Sequence, residues 1–164
     1  MSAPSALGRR GSPRAPRTLC ASTELDVSAG SVFAFLADLR NHWKLADRWI
    51  EVESLHIEAE GQATGGVVRI RGPLGLHRTA RIRIVPASAP GSIEGWASVG
   101  RRTHAHVRWE IEAAARGSQV ALSVEILRAG LPDRVLLALG GGHWMRGRLR
   151  STLRALAETP HASG

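Results

Sequence analysis

Residues 131–158, LPDRVLLALGGGHWMRGRLRSTLRALAE, decide the fold that we predict for this chain. Pro132 and Asp133 suit the first turn of a helix, where a missing N–H is tolerated and an acidic side chain is favoured. One side of the helical wheel is apolar and the other carries arginines. The stretch therefore predicts a long amphipathic C-terminal helix that needs a surface to pack on. Its apolar side consists of Leu131, Val135, Ala138, Gly142, Met145, Leu149, Thr152, Leu153 and Leu156.

Three consecutive glycines, Gly140–Gly142, interrupt the predicted helix. Each costs about 1 kcal/mol relative to alanine in a helix interior, so we expect a kink or a break. Two explanations stay open at this stage. The glycines give either a flexible lid over a cavity mouth or a close approach of the helix backbone to a sheet.

The chain before the helix alternates between apolar and polar residues in short segments, as strands do. The first predicted strand, Thr18–Val27, precedes two short helices, one capped by Ser28 and one at about His42–Arg48. Glycine-rich turns separate the later strands, and the alternation slips near Ser54, which predicts a β-bulge. We therefore predict an α+β helix-grip domain, with a curved antiparallel sheet of about seven strands around the C-terminal helix and two short helices between strands 1 and 2.

The length of 164 residues predicts one domain. Residues 1–17 are rich in Ser, Ala, Pro, Gly and Arg, which predicts a disordered tail. Residues 18–158 form the predicted ligand-binding domain, and residues 159–164 a flexible C-terminus.

The net charge is +8, and half of it comes from the arginines of the tail. The remaining charge is spread along the strands and the last helix, so we interpret it mainly as a solvated surface. Binding of nucleic acid or of an acidic partner is the less favoured alternative. Arginine is used almost to the exclusion of lysine, which suggests a GC-rich bacterial genome.

Cys20 is the single cysteine, so the chain has no disulfide framework and no cysteine-based metal site. We expect it to be a small buried hydrophobe in the first strand. No apolar run approaches the about 18 residues of a membrane span, and no secretory signal follows Arg9 and Arg10. These features predict a cytoplasmic protein.

Several stretches carry a resemblance to a known superfamily. They are residues 25–38 (LDVSAGSVFAFLAD), Trp43, Trp49, residues 107–111 (VRWEI) and residues 117–120 (GSQV). From Thr18 to Glu158 the chain resembles the polyketide cyclase/dehydrase and lipid-transport superfamily, the START-like or Bet v 1-like (SRPBCC) group. The resemblance implies a helix-grip fold that binds a hydrophobic small molecule between the sheet and the final helix. Some members cyclise or dehydrate polyketides, and others carry or sense their ligands.

Two side chains are candidates for catalysis. His42 lies between the two short helices, where it would act as a general acid or base, or would instead be an exposed loop histidine. Arg78 shares a strand face with Leu76 and Ala80. If that face is concave, Arg78 is a buried cation suited to a carboxylate or an enolate; otherwise it is a surface charge.

The candidate ligand-binding residues are mostly apolar and aromatic. Trp109 is the strongest, because Val107 and Ile111 share its face of the strand, whereas Trp96 could face either way. His104 and His106 have a spacing compatible with metal binding, but charged residues continue their face, so we predict that they point to solvent and that no metal is bound. The full predicted set is Phe35, Trp43, Trp49, Trp96, Val107, Trp109, Gly142, Met145 and Leu149.

The chain has no phosphate-binding loop, no dinucleotide-binding glycine motif, no nucleophile elbow and no H-E-x-x-H motif. We therefore predict no cofactor. The leading hypothesis is binding of a polyketide-like or polycyclic molecule, with or without cofactor-free cyclisation, aromatisation or dehydration. The alternatives are a non-catalytic carrier or sensor of a lipid or quinone, and a basic module for nucleic acid or an acidic partner. A monomer and a homodimer are both compatible with the sequence.

Overall fold

The computed structural model describes residues 17–72, 75–86 and 91–159. Within these ranges one antiparallel sheet has seven strands in the order β1-β7-β6-β5-β4-β3-β2. The predicted sheet is therefore confirmed. The predicted tail, residues 1–17, lies outside the described residues except at Arg17, which begins β1. Of the predicted flexible C-terminus, residues 160–164 also lie outside them. The strands are β1 (Arg17–Leu25), β2 (Ile50–Ile57), β3 (Ala63–Arg71), β4 (His77–Pro86), β5 (Ser92–Val99), β6 (Thr103–Ala113) and β7 (Ser118–Arg128).

Two short helices connect β1 to β2, as predicted. They are α1 (Ala29–Leu36) and α2 (Leu39–Leu45), followed by a 3-10 turn at Asp47–Trp49. The Ser31 N–H donates to the Ser28 side chain at 3.2 Å, so Ser28 caps α1. Asp38 caps α2 in the same way, so α2 begins three residues before His42, earlier than expected. The Arg40 guanidinium beside Asp38 holds the pKa of that carboxyl below its usual value.

The C-terminal helix is kinked at the glycines. It consists of α3 (Leu131–Leu136), a π turn (Leu137–Gly141) and α4 (Gly142–Glu158). Gly140 has a φ of 105°, a left-handed conformation that glycine adopts without steric cost. Gly142 is buried, and a Cβ on it would lie 4.0 Å from the side chain of Leu19 on β1, an ordinary van der Waals distance. A close approach to the sheet therefore does not require glycine at this position, and both explanations of the glycines remain predictions.

The kink corrects the predicted apolar stripe. Leu131 and Val135 were placed on the buried side, but they are 71% and 52% exposed. Leu149 and Leu153 of α4 are buried, as expected. The reason is that a helical wheel assumes one continuous helix, whereas the non-helical backbone at Leu139 and Gly140 separates two helices with different orientations.

The sheet has an inner face that packs on the helices and an outer face. Along β6 and β7 every second residue points to the inner face. Trp109 and Leu122, which are both buried, mark these inner positions. The inner face falls into two parts. The closed rows, which are fully buried, are Ile93, Trp109, Ile111, Val120 and Leu122. The open rows, which are half-buried, are Ile82, Ala97, Ala105, Val107, Val124 and Ile126.

The predicted β-bulge lies in β2, where the pairing with β3 shifts between Val52 and Ser54. Gly66 lies against this bulge, and a Cβ on it would come within 2.5 Å of the Ser54 carbonyl oxygen. A side chain at this position would therefore force the two strands apart.

Cys20 corrects another expectation, because its side chain is exposed. Strand residues alternate between faces, and Leu19 occupies the buried side of β1. Cys20 consequently points to the outer face. None of the helices in the described ranges has the length and apolar character needed to cross a membrane.

Candidate functional site

The open rows are the part of the inner face that stays accessible. Their side chains share a face with the buried core, yet they remain half-exposed to solvent. The kinked helix also has half-buried apolar side chains, at Leu136, Leu137 and Met145. From this accessibility we infer a space between the sheet and the kinked helix, which we call the open pocket.

A polar network joins the start of β6 to the start of α3. Thr103 of β6 donates a hydrogen bond to Asp133 of α3, and the Gly130 N–H donates to Thr103 Oγ1 at 2.9 Å. Arg78 Nε lies 3.5 Å from Asp133 Oδ1. Because α3 buries none of its own residues, these polar contacts hold it rather than apolar packing.

Arg78 is neither the fully buried cation nor the simple surface charge that the sequence left open. It is two residues from the buried Ala80 and therefore on the inner face of β4. It is also near the end of the strand, where its side chain is 39% exposed. Its charge is partly compensated by Asp133. A carboxylate or enolate ligand would therefore compete with Asp133 for the guanidinium.

Tryptophans lie where α2 and the following 3-10 turn meet α4. The rings of Trp49 and Trp144 meet edge to face at 6.0 Å, and the Arg148 guanidinium lies 5.4 Å from the Trp144 ring. The Nε1 atoms of Trp43 and Trp49 are buried and have no hydrogen-bond partner among the residues that the structure describes. An unsatisfied buried donor costs about 1–3 kcal/mol. Both indole N–H groups are thus buried donors without an acceptor among the described residues.

His42 is packed rather than exposed. Its Nε2 lies 2.6 Å from the Leu36 carbonyl oxygen, and its ring meets Trp109 edge to face at 5.6 Å. Burial lowers the pKa of His42, so the ring is neutral at neutral pH. Since a carbonyl oxygen only accepts, Nε2 carries the proton and Nδ1 is left as an acceptor. The interpretation of His42 as an exposed loop histidine is wrong.

His42 also has a structural role. The last carbonyls of a helix lack partners within that helix. His42 supplies one for Leu36, and the Asn41 side chain donates to the Phe35 carbonyl at 2.7 Å. These two side chains thereby join the end of α1 to α2.

Trp96 does not line the open pocket. It lies on the outer face, 44% exposed, and its ring contacts the His106 ring at a centroid distance of 5.2 Å and an interplanar angle of 39°. His104 is exposed on the same face, as its strand position predicted. Among the described residues no group of His, Cys, Asp or Glu has an arrangement that could hold a metal ion.

The other predicted ligand-binding residues are distributed between pocket and core. Val107 and Met145 contribute to the open pocket, and Trp43, Trp49 and Phe35 are half-buried beside the core. Trp109, Gly142 and Leu149 are buried within it. The sequence interpretation missed Val124, Ile126, Thr103 and Asp133. The alternation of β7 is the signal that could have identified Val124 and Ile126.

No family model matches the sequence, and no curated protein matches it either. Solved structures do match. The KanY protein is 14% identical, with 88% of this chain and 97% of that chain covered and a TM-score of 0.66. A START superfamily protein from Mycobacterium smegmatis is 11% identical, with 86% and 92% covered and a TM-score of 0.54. DynU16, from the dynemicin biosynthetic locus, is 13% identical, with 86% and 46% covered and a TM-score of 0.55. At these identities the likeness concerns the fold, and this chain has the START-like, helix-grip fold.

Proposed function

We propose that the protein binds a hydrophobic small molecule, polyketide-like or polycyclic, in the open pocket. The observation that carries this proposal is the set of half-buried apolar residues between the sheet and the kinked helix. Covering apolar surface is favourable by about 25 cal/mol per Å². A flat apolar ligand would therefore gain its affinity from the open rows. The fold neighbours, which include a START superfamily protein and a protein from a biosynthetic locus, support this direction.

We infer that the ligand extends from the open pocket to the unpartnered indole donors beside the core, which would narrow the class of ligand. Trp43 and Trp49 each have a buried N–H without an acceptor. A ligand that carries carbonyl or ether oxygens would satisfy them, whereas a pure hydrocarbon would leave them unsatisfied. Oxygenated polycyclic molecules and quinones both meet this requirement.

Cofactor-free cyclisation, aromatisation or dehydration is a second proposal, and it rests on His42. A neutral imidazole with its tautomer set by the Leu36 carbonyl offers Nδ1 as a proton acceptor. Such a reaction would depend on holding the substrate in a reactive shape and on proton transfer. Arg78 would stabilise an enolate only after releasing Asp133. A non-catalytic carrier or sensor uses the same pocket without either group.

The experiment is native mass spectrometry of the protein purified from the organism that encodes it, followed by identification of extracted small molecules. A co-purifying aromatic or polyketide-like compound supports the proposal and supplies a substrate for turnover assays with His42→Gln and Arg78→Ala. A bound lipid or quinone that is not converted assigns the protein to the carriers. The cytoplasmic location and the oligomeric state stay predictions.

A further inference from the structure

Two arginines in the middle of β4, on the outer face of the sheet, have no acidic partners. Arg81 and Arg83 of β4 are exposed and form no ion pair with any residue of the described ranges. In contrast, Arg69, Arg71 and Arg108 all pair with glutamates of the same sheet. Two uncompensated positive charges thus lie close together on the outer face, in the middle of β4.

A groove lies beside this charge because Gly65 of β3 has no side chain. Gly65 pairs with Arg83 on one side and with His56 of β2 on the other. The resulting groove has a volume of about 580 Å³. Its far wall includes Glu58, which accepts a hydrogen bond from Thr64 and lies 3.7 Å from His56.

An exposed aromatic ring lies on the opposite side of Arg83. Trp96 of β5 pairs directly with Arg83, and His106 of β6 pairs with Trp96. The row from His56 to His106 therefore crosses the outer faces of β2 to β6. Four strand spacings of about 4.8 Å give it a length of about 19 Å. We call this row, together with Arg81, the outer row.

We propose that the outer row binds single-stranded nucleic acid. Guanidinium groups form paired hydrogen bonds with phosphates. An exposed indole offers a stacking surface to any of the four bases. Arg83 lies between the groove and Trp96, so phosphate and base contacts would be neighbours. The length of the row exceeds one nucleotide, which favours a strand over a mononucleotide. At the β6 end of the row, Glu94 lies 3.5 Å from His106 and contributes a negative charge. The net positive charge of the row therefore lies at β4.

The test uses the full chain and a fluorescein-labelled oligo(dT) of about 12 nucleotides, within the range of single-strand site sizes. Fluorescence anisotropy at about 50 and 200 mM salt measures the affinity and its salt dependence. We expect binding that weakens with salt. Arg81→Ala/Arg83→Ala should weaken it at least tenfold and reduce the salt slope by about 1.4, since each single-strand phosphate contact contributes about 0.7. Trp96→Ala should cause a loss of about tenfold that Trp96→Phe largely restores.

The matched control is Arg150→Ala/Arg154→Ala, which removes the same charge from exposed positions of α4. It should change the affinity less than about twofold if the outer row is the site. Equal losses in the two double variants, or no binding at the lower salt, would overturn the proposal. Displacement by polyglutamate as effective as by unlabelled oligo(dT) would also overturn it and indicate a site for acidic proteins. Binding of the uncharged probe N-phenyl-1-naphthylamine should be unchanged in all these variants, which separates this proposal from the open pocket.

Discussion

The two parts of the inner face differ in what covers them. Ile111 of the closed rows and Ile126 of the open rows lie on the same face of adjacent strands, yet Ile111 is 2% exposed and Ile126 is half-buried. The core that includes the closed rows also contains buried side chains of α1 and α4. In contrast, α3 contributes no buried residue and is held by Asp133.

Under the proposed function, this difference separates stability from binding. The closed rows form a packed core, whereas the open rows pack against its edge and keep part of their apolar surface accessible. The kink at Gly140 separates α4, which contributes to the core, from α3, which buries no residue.

The largest expected effect is a difference in the free energy of unfolding between alanine variants of two isoleucines. Ile111→Ala should lower the free energy of unfolding by about 2–5 kcal/mol, because it leaves a cavity in a packed core. Ile126→Ala should cost about 1 kcal/mol, because its side chain is already partly solvated. Urea unfolding of both variants measures the difference. Equal costs would mean that the open rows are packed as tightly as the closed rows.

The second prediction concerns the attachment of α3. Asp133→Ala removes the acceptor of Thr103 and the partner of Arg78. Hydrogen exchange of the α3 amides should accelerate about 10- to 100-fold, since a hydrogen bond to a charged group contributes about 1.5–3 kcal/mol and the exposed ion pair adds little. Amides of α4 serve as the internal control and should not change. Unchanged exchange in α3 would show that packing, not this network, holds the helix.

A smaller effect is the pH dependence of the free energy of unfolding. Burial lowers the pKa of His42 below the unfolded value of about 6.5, so the unfolded chain takes up a proton first as the pH falls. Stability contributed by neutral His42 is therefore present above about pH 6.5 and is lost below it, with a slope of at most about 1.4 kcal/mol per pH unit.

His42→Gln keeps a donor for the Leu36 carbonyl but does not titrate. The variant should lose this part of the pH dependence, as measured by urea unfolding between about pH 5 and 7. Identical pH profiles for the wild type and the variant would contradict the burial of a neutral imidazole.

Much of the fold was predictable because the strands of this chain alternate clearly. In β6 the alternation from Thr103 to Ile111 assigned the inner and outer faces, and the Ser28 cap located α1. The side of Trp96 was not predictable in the same way. Its neighbours Gly95, Ala97 and Ser98 are small on both faces of β5, so no hydrophobic pattern distinguishes them.

The site was less predictable because it depends on contacts between distant segments. The helical wheel of residues 131–158 gave no indication that Leu131 would be exposed, because the backbone angle at Gly140 is not encoded in a periodic pattern. The burial of His42 arises from its contact with Trp109, far away in the sequence. A local pattern carries no information on such a contact.

The most direct test of the central claim is binding of N-phenyl-1-naphthylamine, whose fluorescence rises in an apolar site, to two arginine variants. Ile126→Arg places a charge in the open rows, and Leu127→Arg places it one residue further, at an exposed position of β7. If the open pocket is the binding site, the first variant loses probe binding and the second binds like the wild type. Equal binding by both variants would contradict the account.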